Sequence, residues 1–98
     1  MDRQAIVATL REHAPEIRCA GVLHLSLFGS AARDQMRADS DVDLMAQFDP
    51  SARVTLLTLA RLEYTLSGMV GAKVDLSTAA WMHDVVREQA LEEAVVAF

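Results

Sequence analysis

Two stretches decide the fold: Val22-Leu23-His24-Leu25-Ser26-Leu27-Phe28-Gly29-Ser30 and, ten residues after Ser30, Asp41-Val42-Asp43-Leu44-Met45-Ala46-Gln47-Phe48. In the first, Leu23, Leu25 and Leu27 alternate with His24 and Ser26, the period of a strand buried on one face. Gly29-Ser30 ends that strand, and Ala31 to Met36 reads as a short helix leading into a polar loop, Arg37 to Ser40. In the second, Asp41 and Asp43 fall at the start of a strand over Val42 to Phe48. They point to one face, roughly 7 Å apart along it, while Val42 and Leu44 take the opposite, core-facing side. A third short strand, Lys73 to Ser77, repeats the arrangement with Asp75 between Val74 and Leu76.

Helical patterns fill the spaces between these strands. Asp2 to His13 carries Ile6, Val7 and Leu10 on one stripe with Asp2 placed to cap it, and Ala14-Pro15 reads as its close. Asp49-Pro50-Ser51 closes the second strand and offers caps for a helix from Arg53 to about Ser67, whose Leu56, Leu59, Leu62 and Leu66 line one side. Gly68 and Gly71 punctuate its end. A last helix, about Met82 to Glu93, turns Val85, Val86 and Ala90 inward and Arg87, Glu88 and Glu92 outward. Ala94 to Phe98 either extends it or forms a terminal strand. The order is α-β-α-β-α-β-α, an α/β (α+β) fold with a small mixed sheet covered by helices.

Composition narrows the function classes. With 98 residues, 52% hydrophobic and 23% charged, the chain has the balance of one folded domain with a small core. A net charge of -5 argues against non-specific binding to nucleic acid or to an anionic membrane. No apolar run approaches the ~20 residues of a membrane span. The opening Met1-Asp2-Arg3 lacks the pattern of a signal peptide, and with a lone Cys19 this points to a reducing cytoplasm.

The chemistry is carried by the acids and the Gly-Ser turn. If the second and third strands are neighbours, Asp41, Asp43 and Asp75 converge on one side of the sheet. Unpaired, they would raise one another's pKa values. A divalent cation with oxygen ligands resolves the repulsion, and Mg²⁺ commonly takes one or two carboxylates plus substrate phosphates. A strand ending in Gly29-Ser30 and opening into a helix presents backbone N–H groups to an anion, Ser30 adds a hydroxyl, and Arg33 lies one turn on. A phosphate cradle beside a carboxylate-bound metal is the apparatus of phosphoryl or nucleotidyl transfer.

Gly29-Ser30, ten residues, then Asp41-Val42-Asp43 matches the Gly-Ser-x10-Asp-x-Asp signature of the DNA polymerase beta-like nucleotidyltransferase superfamily. With Asp75 as third acid and so short a chain, it resembles the minimal nucleotidyltransferase (MNT) antitoxins of HEPN/MNT toxin–antitoxin pairs. The resemblance covers essentially the whole domain, from the first strand to the last helix, and implies that residues 1–98 form a single nucleotidyltransferase domain. It implies that Asp41 and Asp43 hold Mg²⁺ and the ATP phosphates. It also implies that Asp75 helps hold a second metal and orients or deprotonates the attacking hydroxyl, and that Ser30 contacts the triphosphate. The implied activity is transfer of AMP from ATP to a tyrosine of a HEPN-domain toxin, with which the chain forms a hetero-oligomer. One departure is Asp34, where the family often has glycine after its Ala-Arg pair.

Two other readings compete. One is an antitoxin that neutralises by binding alone, its nucleotide site vestigial; the other is AMP transfer to a small molecule such as an aminoglycoside. Templated synthesis is set aside, because the chain lacks the domains that grip a template. His13, His24 and His83 have no metal-ligand spacing, although His24 shares a face with Ser26 and could lie near the site. Cys19 reads as a small buried residue, Tyr64 and the methionines as packing, and Trp81-Met82 as core or partner surface.

Overall fold

The computed structural model describes residues 2–33, 41–81 and 83–98. Among the described residues, five α-helices and four strands follow in the order α1 (Arg3–Glu12), α2 (Ala14–Cys19), β1 (Val22–Leu27), α3 (Gly29–Ala32), β2 (Val42–Phe48), α4 (Leu56–Val70), β3 (Val74–Thr78), α5 (Asp84–Glu93) and β4 (Val95–Val96). A single 3₁₀ turn, Ala79–Trp81, joins β3 to α5. The strands form one sheet in the order β3-β2-β1-β4. β1 runs antiparallel to both β2 and β4, and β2 runs parallel to β3 across the α4 crossover. The mixed sheet and its covering helices agree with the sequence reading.

One face of the sheet makes the core. Leu25 and Leu27 of β1, Val42, Leu44 and Ala46 of β2, and Val74 and Leu76 of β3 pack against Ile6 and Leu10 of α1, Ile17 of α2 and Leu59, Leu62, Leu66 and Val70 of α4. Burying side chains of this size contributes about 1.5–3 kcal/mol each. The core fixes strand parity, and so turns Asp43 and Asp75 to the other face.

Several expectations give way. The first helix does close ahead of Ala14-Pro15, its C-cap at His13, but a helix the sequence pattern did not show, α2, follows at once with Pro15 in its first turn, where its missing N–H costs nothing. α2 buries Ala14 and Ile17, one turn apart, which carries Cys19 about 200° round from Ile17 and leaves it exposed. In β1 the register against β2 slips between Val22 and His24, so Val22 and Leu25 both face the core and Leu23 is 37% exposed. α4 starts later than expected. Its cap is Thr55, in a reciprocal box with Thr58, while Asp49 instead accepts from the backbone N–H and hydroxyl of Ser51. The α4 stripe that buries Leu62 puts Tyr64 about 200° away, in solvent, and Leu56 at the first helical position is exposed too. In α5, Arg87 and Leu91 line a groove with Phe48 and Trp81, so Val85, also about 200° from Arg87, faces outward. Trp81 is half-exposed.

The C-terminus resolves to a strand. Ala97 donates to Leu25 O and is buried, Arg11 Nε donates to Ala97 O at 2.6 Å, and the Arg18 guanidinium lies 5.0 Å from the Phe98 ring centroid. The expected helical stretch beyond Arg33, the polar loop 37–40, Asp34 and Met82 lie outside the described residues.

Candidate active site

β2 and β3 pair in parallel with Val42 opposite Val74, Asp43 opposite Asp75 and Leu44 opposite Leu76. Adjacent strands are about 4.8 Å apart, so Asp43 and Asp75 stand side by side on the face away from the core. The valines and leucines on either side set this parity. Asp41 precedes β2, and its carboxylate is 3.8 Å from Lys73 Nζ. Both side chains are well exposed, so this ion pair adds little to stability.

Gly29 sits directly against Asp43. Phe28 donates its backbone N–H to Asp43 O at 3.0 Å, drawing the end of β1 onto β2. A Cβ at Gly29 would lie 2.5 Å from Asp43 Oδ2, and the residue has φ +63, a region glycine enters freely. The Gly29-Ser30 turn and the central carboxylate therefore touch, and Ser30 follows half-buried in the first turn of α3.

The electrostatics reflect this crowding. Burial raises the Asp43 carboxyl above the ordinary carboxylate range, and the neighbouring charges of Asp75 and then Asp41 raise it further; the Arg33 guanidinium opposes them. Arg33 closes α3, with its backbone N–H donating to Gly29 O at 3.2 Å and its Nη1 3.0 Å from Glu93 Oε2. Among the described residues, no three His, Cys, Asp or Glu side chains are drawn in around one point. The donor chemistry nonetheless fits magnesium. Neighbouring hard carboxylates share a face, and a cation would relieve the burial and repulsion that raise Asp43, with phosphate and water left to complete the shell.

Two side chains that sequence patterns did not single out fix Asp75. Glu63 and Ser67, four residues apart on α4, reach the outer edge of β3. Leu76 donates its N–H to Glu63 Oε2 at 2.9 Å, and Val74 donates to Ser67 Oγ at 3.0 Å. Both bonds flank Asp75 and use strand donors that would otherwise stand open at the sheet edge. The i, i+4 spacing shows in the sequence, but its target across the crossover does not. His24 is exposed on β1 opposite Gln47, four residues along β2 from Asp43. The apolar groove between α2 and α4, lined by Ile17, Leu57, Leu62 and Met69, lies on the core side of the sheet and shares no residue with this site.

A glycine-serine strand end thus lies against paired strand carboxylates, within a fold that comparison assigns to a nucleotide-transferring family. The chain belongs to the nucleotidyltransferase domain family, whose model matches residues 8–97. Among individual relatives, it is 35% identical over 85 residues to a protein of Methanocaldococcus jannaschii provisionally named a protein adenylyltransferase, covering 87% of this chain and 89% of that one. It is 31% identical over 93 residues to the protein adenylyltransferase MntA of Thermococcus cleftensis, covering 94% and 92% of the two. A solved structure provisionally described as a minimal nucleotidyltransferase superposes with a TM-score of 0.80 at 36% identity, covering 97% of this chain and 95% of that one. A chain from the complex of the tri-AMPylated Shewanella oneidensis HEPN toxin with its MNT antitoxin shares the fold, with a TM-score of 0.70 at 15% identity over 98% of this chain and 71% of that one.

Proposed function

We propose that this chain is a Mg²⁺-dependent protein adenylyltransferase that moves AMP from ATP to a tyrosine hydroxyl of a HEPN-domain toxin, and thereby acts as its antitoxin. The observation that carries the reading is the in-register pairing of Asp43 with Asp75 while Gly29 abuts the Asp43 carboxylate. The relative named MntA supports the reaction type. The Shewanella complex, in which the toxin itself carries AMP groups, supports the choice of acceptor. A related toxin–antitoxin structure with AMP-PNP supports ATP as the nucleotide.

In this reading Asp41, Asp43 and Asp75 hold the cation. When bound, it neutralises the triphosphate and stabilises charge on the transferred phosphoryl group. Backbone N–H groups at Gly29-Ser30, the Ser30 hydroxyl and Arg33 bind phosphate oxygens, leaving the α-phosphorus facing the acids. Asp75 orients the acceptor hydroxyl and takes its proton as the tyrosine oxygen bonds to the α-phosphorus and pyrophosphate leaves. A cation held there would offset the repulsion from Asp75 and Asp41 that raises the Asp43 carboxyl.

The test is intact-mass spectrometry of a HEPN-domain partner incubated with this chain, ATP and Mg²⁺. The expected result is a mass gain in AMP-sized steps, abolished by Asp41→Asn/Asp43→Asn. Neutralisation of the partner without any mass gain, undiminished in the double variant, would replace this reading with antitoxicity by binding alone.

A further inference from the structure

Arg33 and Glu93 are 60 residues apart in sequence, yet their side chains meet at 3.0 Å. The meeting is built in by the sheet. Immediately after Glu93 and Ala94, β4 pairs with the end of β1, Val95 opposite Leu27 and Val96 opposite Ser26. Leu27 is two residues before Gly29, so the strand that delivers the Gly-Ser turn is the one that anchors the chain following Glu93. The anchoring is firm, because Ala97 is fully buried and donates its backbone N–H to Leu25 O, Leu25 in turn donates to Phe98 O, and Arg11 holds the Ala97 carbonyl. The position of Glu93 relative to the turn is thus set by backbone pairing, independently of the ion pair. Arg33 leaves α3 at the fourth residue after Gly29, and its charge reaches Asp43.

We infer that Glu93 is a positioning residue that holds the Arg33 guanidinium beside the Gly29-Ser30 turn, ready to meet a nucleotide phosphate. This rests on the proposed nucleotide site. A free arginine side chain samples many rotamers, and fixing it is costly; a carboxylate held by β4 meets part of that cost before the nucleotide arrives. The planar guanidinium carries five donors in a fixed fork, and the contact to Glu93 is made by Nη1. Half-exposure of both side chains keeps the effect modest.

The experiment is a double-mutant cycle on the full chain, titrating AMP-PNP with Mg²⁺ by calorimetry for the parent, Glu93→Ala, Arg33→Ala and the double variant, with Tm measured for each. Expected is a rise in Kd of about three- to fivefold for Glu93→Ala with Tm nearly unchanged. In the Arg33→Ala background Glu93→Ala should have no further effect. Glu93→Asp should recover part of the affinity and kcat should move less than KM. Additive effects of the two substitutions, or tighter binding on loss of Glu93, would overturn the inference while leaving the nucleotide site in place. Absence of AMP-PNP binding by the parent would overturn the site and the inference with it.

Discussion

Gly29→Ala probes the contact on which the candidate site depends. An alanine forced into the left-handed region costs about 1–2 kcal/mol. At Gly29 the new methyl would also lie 2.5 Å from Asp43 Oδ2 and 3.3 Å from its Cγ, so the carboxylate must swing away. Overpacking of that kind adds about 1–3 kcal/mol. Two other glycines separate the contributions. Gly71, at the end of α4, has φ +76 with nothing within 4 Å of where a methyl would sit, so Gly71→Ala reports the backbone cost alone. Gly68, inside α4 and equally uncrowded, should gain about 0.8–1 kcal/mol when made alanine. In a domain of this size each kcal/mol moves Tm by about 4–8 °C. Thermal unfolding should therefore rank Gly68→Ala above the parent, Gly71→Ala below it, and Gly29→Ala lowest. AMP transfer should fall at least tenfold in Gly29→Ala only, because only there is Asp43 displaced. Equal stability of Gly29→Ala and Gly71→Ala, with transfer intact, would refute the claim that the turn is fitted to the carboxylate.

Other substitutions test neighbouring parts of the account. The pKa of Asp43 is raised in the folded chain, so the folded state binds the extra proton, and stability falls as pH rises from the ordinary carboxylate range through the raised value. Asp43→Asn should consequently be more stable than the parent at neutral pH without divalent cations, with the difference vanishing in acid; denaturant unfolding at several pH values checks it, and a less stable variant at neutral pH would contradict it. Glu63→Ala removes the acceptor for Leu76 N–H at 2.9 Å and should destabilise the chain by about 1–3 kcal/mol, most visibly as faster amide exchange at Leu76. Arg11→Ala removes a 2.6 Å charge-assisted bond to Ala97 O and should cost about 1.5–3 kcal/mol, with exchange quickening first in β4.

The side-by-side placement of Asp43 and Asp75 was legible because each lies between core residues of opposite parity. Val42 and Leu44 turn Asp43 outward, and Val74 and Leu76 do the same for Asp75. A pattern repeated in two strands needs only their adjacency to become a site. The departures share a cause: they depend on contacts that local periodicity does not encode. A bulge after Val22 shifts the parity of Leu23 without altering the alternation in the letters. Pro15 marks the end of α1 and also sits in the first turn of α2, and only the packing of Ile17 onto the core discloses the second helix. Cys19 and Tyr64 are exposed because their helices bury other stripes, a choice made by the sheet they cover. The least legible features are the long-range polar contacts. Glu63 with Leu76, Ser67 with Val74 and Glu93 with Arg33 bind residues on different elements, and each secures the backbone or side chain at or beside a candidate site residue.

The most direct measurement is AMP-PNP binding followed by calorimetry with Mg²⁺ and with EDTA, for the parent chain and for Asp41→Asn/Asp43→Asn. A single site of carboxylates, cation and Gly-Ser turn predicts binding that requires the cation and is lost in the double variant. Equal affinity in EDTA, or binding untouched by loss of both acids, would contradict it.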